Sequence, residues 1–185
     1  RRGRDKSKIN IYPTASLTVN AEGKNMTEFG LLQNKGIIAF TDGTKTIQNT
    51  RIMSRIMNSA RDLNSLILQH AEDYELSQNG MINDGLIATK LGLQGIPEIA
   101  EIIILERDLA LLESIRCRYH ISQLSCSKSV EIVRSKKENI KFSCGVSINN
   151  LSLNENDIGD FRTFLKLSPP LRTEEDRISL VKGLS

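Results

Sequence analysis

Short apolar runs alternate with longer stretches of helical periodicity along this chain, and that alternation limits its possible folds more than any other feature. Residues 37–40 and 66–68 are apolar throughout, as are strands that are buried on both faces of a sheet. Residues 47–63 instead repeat apolar side chains at the spacing of one helix face. Strands that alternate with helices usually form βαβ units, so the pattern predicts an α/β fold with a parallel sheet.

Turn and capping residues extend this assignment along the chain. Gly36 is predicted to end a helix over residues 26–35, Pro97 to open another in its first turn, and Thr173 to cap the last through Thr-Glu-Glu-Asp. The further predicted elements are a strand at residues 9–12 that runs on towards Leu17, strands at residues 119–124 and 142–148, and a helix at residues 127–138. A complete (β/α)₈ TIM barrel usually needs ~250 residues. The 185 residues therefore predict one domain, residues 1–185, made of about five consecutive units of an eight-unit barrel.

Composition and charge exclude several classes of protein. With 25% charged and 39% hydrophobic residues, the chain resembles a globular domain rather than a disordered one. A net charge of +3 gives no reason to expect nucleic acid or a membrane as a partner. The basic run over residues 1–8 is interpreted as a solvated helix end, with a nucleic-acid arm as the alternative.

Cysteine usage and hydropathy indicate the cellular compartment of the protein. No apolar stretch approaches the ~18 residues of a membrane span, and we expect neither a membrane span nor a signal peptide. Cys117, Cys126 and Cys144 are odd in number and lack the spacing of a metal site. They indicate reduced thiols in a cytoplasmic protein, with one reactive thiol as the alternative.

Two potential metal ligands each follow an apolar run. Asp42 follows residues 37–40, and His70 follows residues 66–68 with Glu72 close behind it. Barrels place catalytic ligands at the carboxyl ends of their strands, where a carboxylate can bridge two divalent ions and an imidazole can bind Zn²⁺. The alternatives are that Asp42 forms an Asp-Gly turn and that His70 makes a structural hydrogen bond.

Other polar residues are weaker candidates. Alternation along a strand directs His120 away from the face that residue 123 occupies, so we expect His120 to be structural. Asn149 and Asn150 could bind a polar substrate or form a turn. Two histidines and one aspartate are too few for a complete two-metal hydrolytic site, and no Ser-His-Asp or Cys-His set can be argued.

Several longer stretches of the sequence carry a family resemblance and span nearly the whole chain. These stretches are Lys24-Asn-Met-Thr-Glu-Phe-Gly30, Ala39-Phe-Thr-Asp-Gly43, His70-Ala-Glu-Asp73, residues 81–97, Glu106-Arg-Asp108, Asn154-Glu-Asn-Asp157 and Pro169-Pro-Leu-Arg-Thr-Glu-Glu-Asp176. In the residues and the order of these stretches, the chain resembles dihydroorotase of the long bacterial type, in the amidohydrolase superfamily. The resemblance implies a (β/α)₈ barrel with one or two zinc ions that interconverts N-carbamoyl-aspartate and dihydroorotate in pyrimidine biosynthesis. An aspartate then acts as general acid/base.

The resemblance also assigns roles to single positions. It implies that Asp42 is the bridging carboxylate and that His70 is a metal ligand. The family's next ligand is the second His of a Tyr-His-x-x-His pattern, which here is Gln123. A neutral amide is a far poorer Zn²⁺ ligand than imidazole.

The resemblance implies two further departures and several missing parts. Asn149 and Asn150 stand where the family has its paired His, and Ser168 stands where it has a substrate-binding Asn. The chain is expected to cover units three to seven of eight. The His-x-His pair and Arg of the first strand, the Asn of the second and the catalytic Asp of the eighth then lie outside it.

Three functions are consistent with these residues. The chain is expected to be a fragment of a zinc-dependent dihydroorotase that is inactive alone. The second reading is a non-catalytic homologue that serves as a structural partner of aspartate transcarbamoylase, and the third is a hydantoinase- or allantoinase-like cyclic amidase. A small-molecule substrate, a possible homo-oligomer and a cytoplasmic location are further expectations.

Overall fold

A computed structural model describes residues 5–184 as an α/β structure built around one parallel sheet. Its five strands lie in the order β1-β2-β3-β6-β7, and every neighbouring pair is parallel. The strands are β1 (Thr14–Ala15), β2 (Ala39–Phe40), β3 (Leu66–Gln69), β6 (Arg118–Leu124) and β7 (Ser143–Val146). Two short strands, β4 (Ile82–Asn83) and β5 (Gly95–Ile96), pair with each other outside this sheet.

Helices follow most strands, as the alternation predicts. The α-helices are α1 (Phe29–Gln33), α2 (Thr50–Asp62), α3 (Tyr74–Ser77), α4 (Leu86–Leu91), α5 (Ile99–Ile115), α6 (Ser127–Lys137), α7 (Ile148–Ser152) and α8 (Glu174–Lys182). Short 3₁₀ turns lie at Val19–Ala21, Glu155–Ile158 and Thr163–Leu165. No helix among residues 5–184 is both long and apolar enough to cross a membrane.

Local sequence explains where several helices begin and end. Thr173 and Asp176 form a capping box at the start of α8, which confirms the predicted cap. Asn49 caps α2 by accepting a hydrogen bond from the Ile52 amide. Gly36, three residues after the end of α1, has a φ of +88°, a conformation that glycine adopts without strain.

Two details differ from the expectations. The strand predicted from residues 9–12 on towards Leu17 forms only at Thr14–Ala15, because pairing with β2 begins at Pro13, whose carbonyl accepts from the Ile38 amide. Helix α2 buries Met53 and Met57 beside its expected apolar stripe, whereas Leu63 lies beyond the helix end and is 41% exposed. The predicted neighbouring parallel strands at residues 37–40, 66–69, 119–124 and 142–148 are confirmed.

The sheet is covered on one face and half-open on the other. Ile67 of β3 pairs in register with Tyr119 of β6, and both are buried in the apolar core that α2 and α5 complete. On the opposite face Leu68 lies beside His120, and both are only half-buried. We call this second side of the sheet the open face. In a closed barrel, the corresponding face of the sheet lines the interior. The architecture is therefore that of a partial barrel.

Candidate functional site

Asp42 and His70 lie at the same edge of the sheet. Asp42 comes two residues after the end of β2, and His70 directly follows β3. Because β2 and β3 are parallel neighbours, their carboxyl ends adjoin. A cavity of about 560 Å³ opens at this edge, and its walls include Asp42, Glu72 and Ser168.

Asp42 is held by a threonine from the preceding loop. Its Oδ1 accepts from the Thr18 amide at 3.1 Å, and its Oδ2 accepts from the Thr18 hydroxyl at 2.5 Å. The same hydroxyl accepts from the Gly23 amide at 2.9 Å. The carboxylate therefore ties the loop after β2 to the loop after β1 while it lines the cavity.

His70, Glu72 and Ser168 form a compact polar group. The Ser168 Oγ lies 3.3 Å from the His70 Nε2 and donates to the Glu72 Oε2 at 3.2 Å. The Nε2 and Oε2 atoms are themselves 3.5 Å apart. His70 is 3% exposed and lies behind the two residues that face the cavity. Burial alone would raise the pKa of the Glu72 carboxyl, but hydrogen bonds from His70, Ser77 and Ser168 lower it overall.

Backbone contacts fix the position of this group. The Thr46 hydroxyl donates to the His70 carbonyl at 2.6 Å and accepts from the Glu72 amide at 3.1 Å. Ser168 belongs to a loop with a cis Ser168-Pro169 peptide. The buried Asn150 side chain donates to the Pro170 carbonyl of that loop at 2.9 Å. Asn150 thus supports the loop, while Asn149 is half-buried in the same short helix, α7.

A buried arginine holds the other end of that loop. The Arg172 guanidinium donates to the Ser125 hydroxyl at 3.1 Å, the Asn83 side-chain oxygen at 2.8 Å and the Ile96 carbonyl at 2.5 Å. The Ser125 hydroxyl in turn donates to the buried Glu101 carboxylate. This network joins β6, α5 and the β4-β5 pair to the loop that carries Ser168.

Gln123 and His120 do not follow simple alternation. Ile121 pairs with Cys144, but Leu124 pairs with Val146, so a β-bulge places Ser122 and Gln123 opposite Gly145 alone. The argument from alternation that put His120 and Gln123 on opposite faces assumed an unbroken strand, and the bulge removes that assumption. His120 lies on the open face, where its Nδ1 is 2.8 Å from the Ser143 Oγ. Gln123 is half-buried near the carboxyl end of β6 and is not among the described residues that line the cavity.

The donor atoms of this chain do not fit a metal ion on their own. Among residues 5–184, no group of three or more His, Cys, Asp and Glu side chains could hold one. Both Asp42 oxygens accept from Thr18, and the His70 Nε2 faces Ser168 and Glu72. Asp42 and His70 are only two ligands, and two ligands without a third do not make a structural or catalytic zinc site.

Only the family resemblance assigned Ser168 to the site. Ser168 and His70 are 98 positions apart, so no local spacing indicates their contact. Lys24 and Lys45 also line the cavity. Nothing in the sequence distinguishes these two lysines from other surface lysines.

Comparisons with known proteins identify relatives of this chain. A family model described as dihydro-orotase-like matches residues 1–129. The chain is 39% identical over 178 residues to a dihydroorotase of Ehrlichia canis, covering 95% of this chain and 39% of that protein. It is 36% identical over 185 residues to a dihydroorotase of Syntrophus aciditrophicus, covering 100% of this chain and 43% of that protein. The chain thus spans about two fifths of the length of these relatives.

Solved structures resemble the fold at lower identity. The L-hydantoinase from Arthrobacter aurescens superposes with a TM-score of 0.75 at 19% identity, over 94% of this chain and 40% of its own. A D-hydantoinase from Bacillus sp. AR9 gives a TM-score of 0.73 at 18% identity, over 97% of this chain and 42% of its own. These two similarities support the partial-barrel architecture. The family model matches well over half of the residues of this chain, so the chain belongs to the dihydroorotase-like family.

Proposed function

We propose that this chain is the central part of a dihydroorotase barrel, units three to seven, whose parent protein interconverts N-carbamoyl-aspartate and dihydroorotate. The single observation that carries the proposal is the placement of Asp42 and His70 after neighbouring parallel strands, beside one cavity, in a chain of this family. A cytoplasmic location agrees with the buried thiols: burial raises the pKa of Cys117 to about 11 and of Cys126 to about 12, which leaves both protonated and inert.

We propose that the chain alone does not catalyse this reaction. Asp42 and His70 are the ligands it would contribute to zinc, and its described residues supply no third ligand. The bound metal would provide a Lewis acid and activated water in the complete protein. Within this chain, Thr18 orients Asp42, while Glu72 and Ser168 contact His70.

Gln123 favours a second candidate function. An amide at a ligand position weakens metal binding, and a dihydroorotase homologue without a metal could act as a structural partner of aspartate transcarbamoylase. A hydantoinase- or allantoinase-like activity is the third candidate. It has less support, because the hydantoinase structures share less than a fifth of their residues with this chain and therefore bear on the fold alone.

Turnover assays separate these functions. Hydrolysis of dihydroorotate is measured with added Zn²⁺ for this chain and for its parent, each with and without Gln123→His. Gln94→His, at an exposed position away from the cavity, is the matched control. Turnover by this chain alone would contradict its proposed inactivity.

The parent assay decides between catalysis and scaffolding. Turnover by the unmodified parent supports the enzyme and shows that Gln123 is tolerated. Turnover only after Gln123→His, and not after Gln94→His, supports a degenerate site and favours the structural partner. Hydantoin hydrolysis without dihydroorotate hydrolysis would replace both with the third candidate.

A further inference from the structure

A second cavity, of about 290 Å³, opens at the edge of the sheet opposite Asp42 and His70. Its walls come from the end of α5, the start of β6 and the loop that leads from α6 into β7. Because all strands of this sheet are parallel, the amino ends of β6 and β7 lie at the edge away from the carboxyl ends of β2 and β3. A ligand in this cavity would therefore be separate from the candidate site.

Three positively charged side chains line this second cavity. Arg116 directly follows α5, Arg118 is the first residue of β6, and Lys141 lies two residues before β7. All three are exposed, and within residues 5–184 none of them lies within ion-pair distance of a carboxylate. The described residues that line the cavity include no Asp or Glu. Three positive charges thus converge on one concave surface.

The acidic side chains that are near in sequence do not neutralise these charges. Glu113, one turn before Arg116, is paired with Lys136 at 2.9 Å. Glu138 is exposed and is not among the described lining residues. The Cys117 thiol in the wall adds no negative charge, since burial raises its pKa to about 11. The cavity therefore keeps its positive charge at neutral pH.

The placement of the arginines is specific. Arg116 has a φ of +58°, a left-handed conformation that glycine adopts more readily at the end of a helix. An arginine there strains the backbone, and such strain is concentrated at binding sites. The Arg118 Nη1 donates to the Asn64 carbonyl at 3.3 Å, which holds this side chain at the cavity while its guanidinium keeps further N–H groups to donate. Attraction to the carboxyl end of α5 would account for Arg116, but it does not account for Arg118 and Lys141.

The charge and size of the cavity favour a phosphoryl group. Guanidinium groups bind phosphate oxygens in bidentate pairs, and a dianionic phosphate compensates more of three positive charges than one carboxylate does. Leu112 and Ile140, which also line the cavity, are buried and offer apolar surface to an organic group. The volume lies near the lower limit of ligand pockets, ~300 Å³. It therefore suits phosphate or a small phosphate ester.

We propose that this cavity binds the dianionic phosphoryl group of a small phosphate ester or of free phosphate, with its oxygens between Arg116, Arg118 and Lys141. In an ester, the organic group lies against Leu112 and Ile140. The inference does not rest on the proposed function, because the cavity lies at the opposite edge of the sheet from Asp42 and His70.

The test is a binding titration that follows the phosphorus NMR line of phenyl phosphate or of inorganic phosphate as the chain is added. The line of a small molecule broadens when the molecule binds to a much larger one, so self-association of the chain only strengthens the effect. We expect both molecules to broaden, and phenol, which lacks the phosphoryl group, to displace neither. Tighter binding of phenyl phosphate would identify an ester as the ligand, and equal binding would identify free phosphate.

Variants identify the groups that bind the phosphoryl group. Because each exposed ion pair contributes little, Arg118→Gln and Lys141→Gln are each expected to weaken binding about threefold. Both changes together with Arg116→Gly should abolish the broadening. Arg55→Gln and Lys90→Gln remove exposed positive charges away from the cavity and should bind as the unmodified chain does.

Arg116→Gly separates binding from folding. It should weaken binding about threefold, while the melting temperature stays the same or rises, because glycine adopts a φ of +58° without strain. A thermal melt of every variant is measured beside the titration. If the triple variant does not fold, the three single variants decide the question.

Three results would overturn the inference. The first is that the unmodified chain broadens neither phosphorus line. The second is that broadening is unchanged in the folded triple variant or in all three single variants. The third is an equal loss of binding in Arg55→Gln and Lys90→Gln, which would show attraction to the overall positive charge instead of to this cavity.

Discussion

The Tyr119 hydroxyl donates a 2.7 Å hydrogen bond to the Asp108 carboxylate, and both groups are buried between β6 and α5. The Arg107 guanidinium donates to the other oxygen of Asp108 at 2.7 and 2.9 Å. The next helix-facing position of the neighbouring strand is Gln69, which directly precedes His70. The buried Gln69 side chain interacts with Asp108 and helps to lower the pKa of its carboxyl. Asp108 and its hydrogen-bond partners therefore lie between α5 and the end of β3, the strand that positions His70.

Tyr119→Phe should lower the free energy of unfolding by about 2 kcal/mol, because a buried carboxylate loses a hydrogen-bond donor. Urea denaturation monitored by circular dichroism measures this change. Tyr12→Phe is the control, since Tyr12 is 66% exposed and its substitution should have no measurable effect. Equal stability of the Tyr119 variant and the unmodified chain would show that the bond contributes nothing.

Asp108 should make stability depend on pH. Burial raises its pKa, and the Arg107 guanidinium and the Tyr119 hydroxyl offset only part of that effect. The folded chain then binds the proton more tightly than the unfolded one. The resulting stabilisation is complete below the unfolded pKa of 3.8 and is lost as the pH rises through the folded pKa. The stability of the unmodified chain relative to Asp108→Asn should therefore increase as the pH falls from 7 towards 4, and a difference that shrinks over this range would contradict the assignment.

Arg172→Lys should destabilise the chain by about 2–3 kcal/mol, because an ammonium group cannot reach the Ser125, Asn83 and Ile96 acceptors together. The comparison is with Arg55→Lys at an exposed helix position, where a change within about 0.5 kcal/mol is expected. Chemical denaturation of both variants gives the two values. A loss confined to the Arg172 variant supports the network, and similar values for both would argue against it.

The open edges of the sheet should make this chain associate. Strands β1 and β7 each have one unpaired edge in the described sheet, and the open face leaves Leu66 and Leu68 only half-buried. Unpaired parallel edges and apolar surface favour self-association. Sedimentation velocity at micromolar concentration should show species larger than the monomer. A monodisperse monomer with a cooperative melt would instead indicate a self-sufficient domain.

The parallel direction of the main strands could be predicted from sequence because strand-like and helical segments alternate, and βαβ crossovers join parallel strands. The bulge could not be predicted, since the extra residue in β6 shows only in its register with β7, where Ser122 and Gln123 face Gly145. The absence of a strand at residues 9–12 was also hidden, because their alternation does not reveal that they lack a partner in the described sheet.

The candidate site could likewise be predicted only in part. Asp42 and His70 end apolar runs and could be recognised, whereas the contact of Ser168 with His70 depends on a loop held by Asn150 and Arg172. The Thr18–Asp42 hydrogen bonds likewise join loops 24 positions apart. Contacts at such separations follow from the packed fold and not from any local pattern.

Zinc stoichiometry tests the central claim, an incomplete metal site, most directly. The purified chain is incubated with Zn²⁺, dialysed and analysed by atomic absorption, beside His70→Ala and the control His120→Ala. Because Asp42 and His70 supply too few ligands for tight binding, we predict much less than one zinc ion per chain in all three proteins. One retained zinc ion per chain that His70→Ala abolishes and His120→Ala preserves would contradict the account.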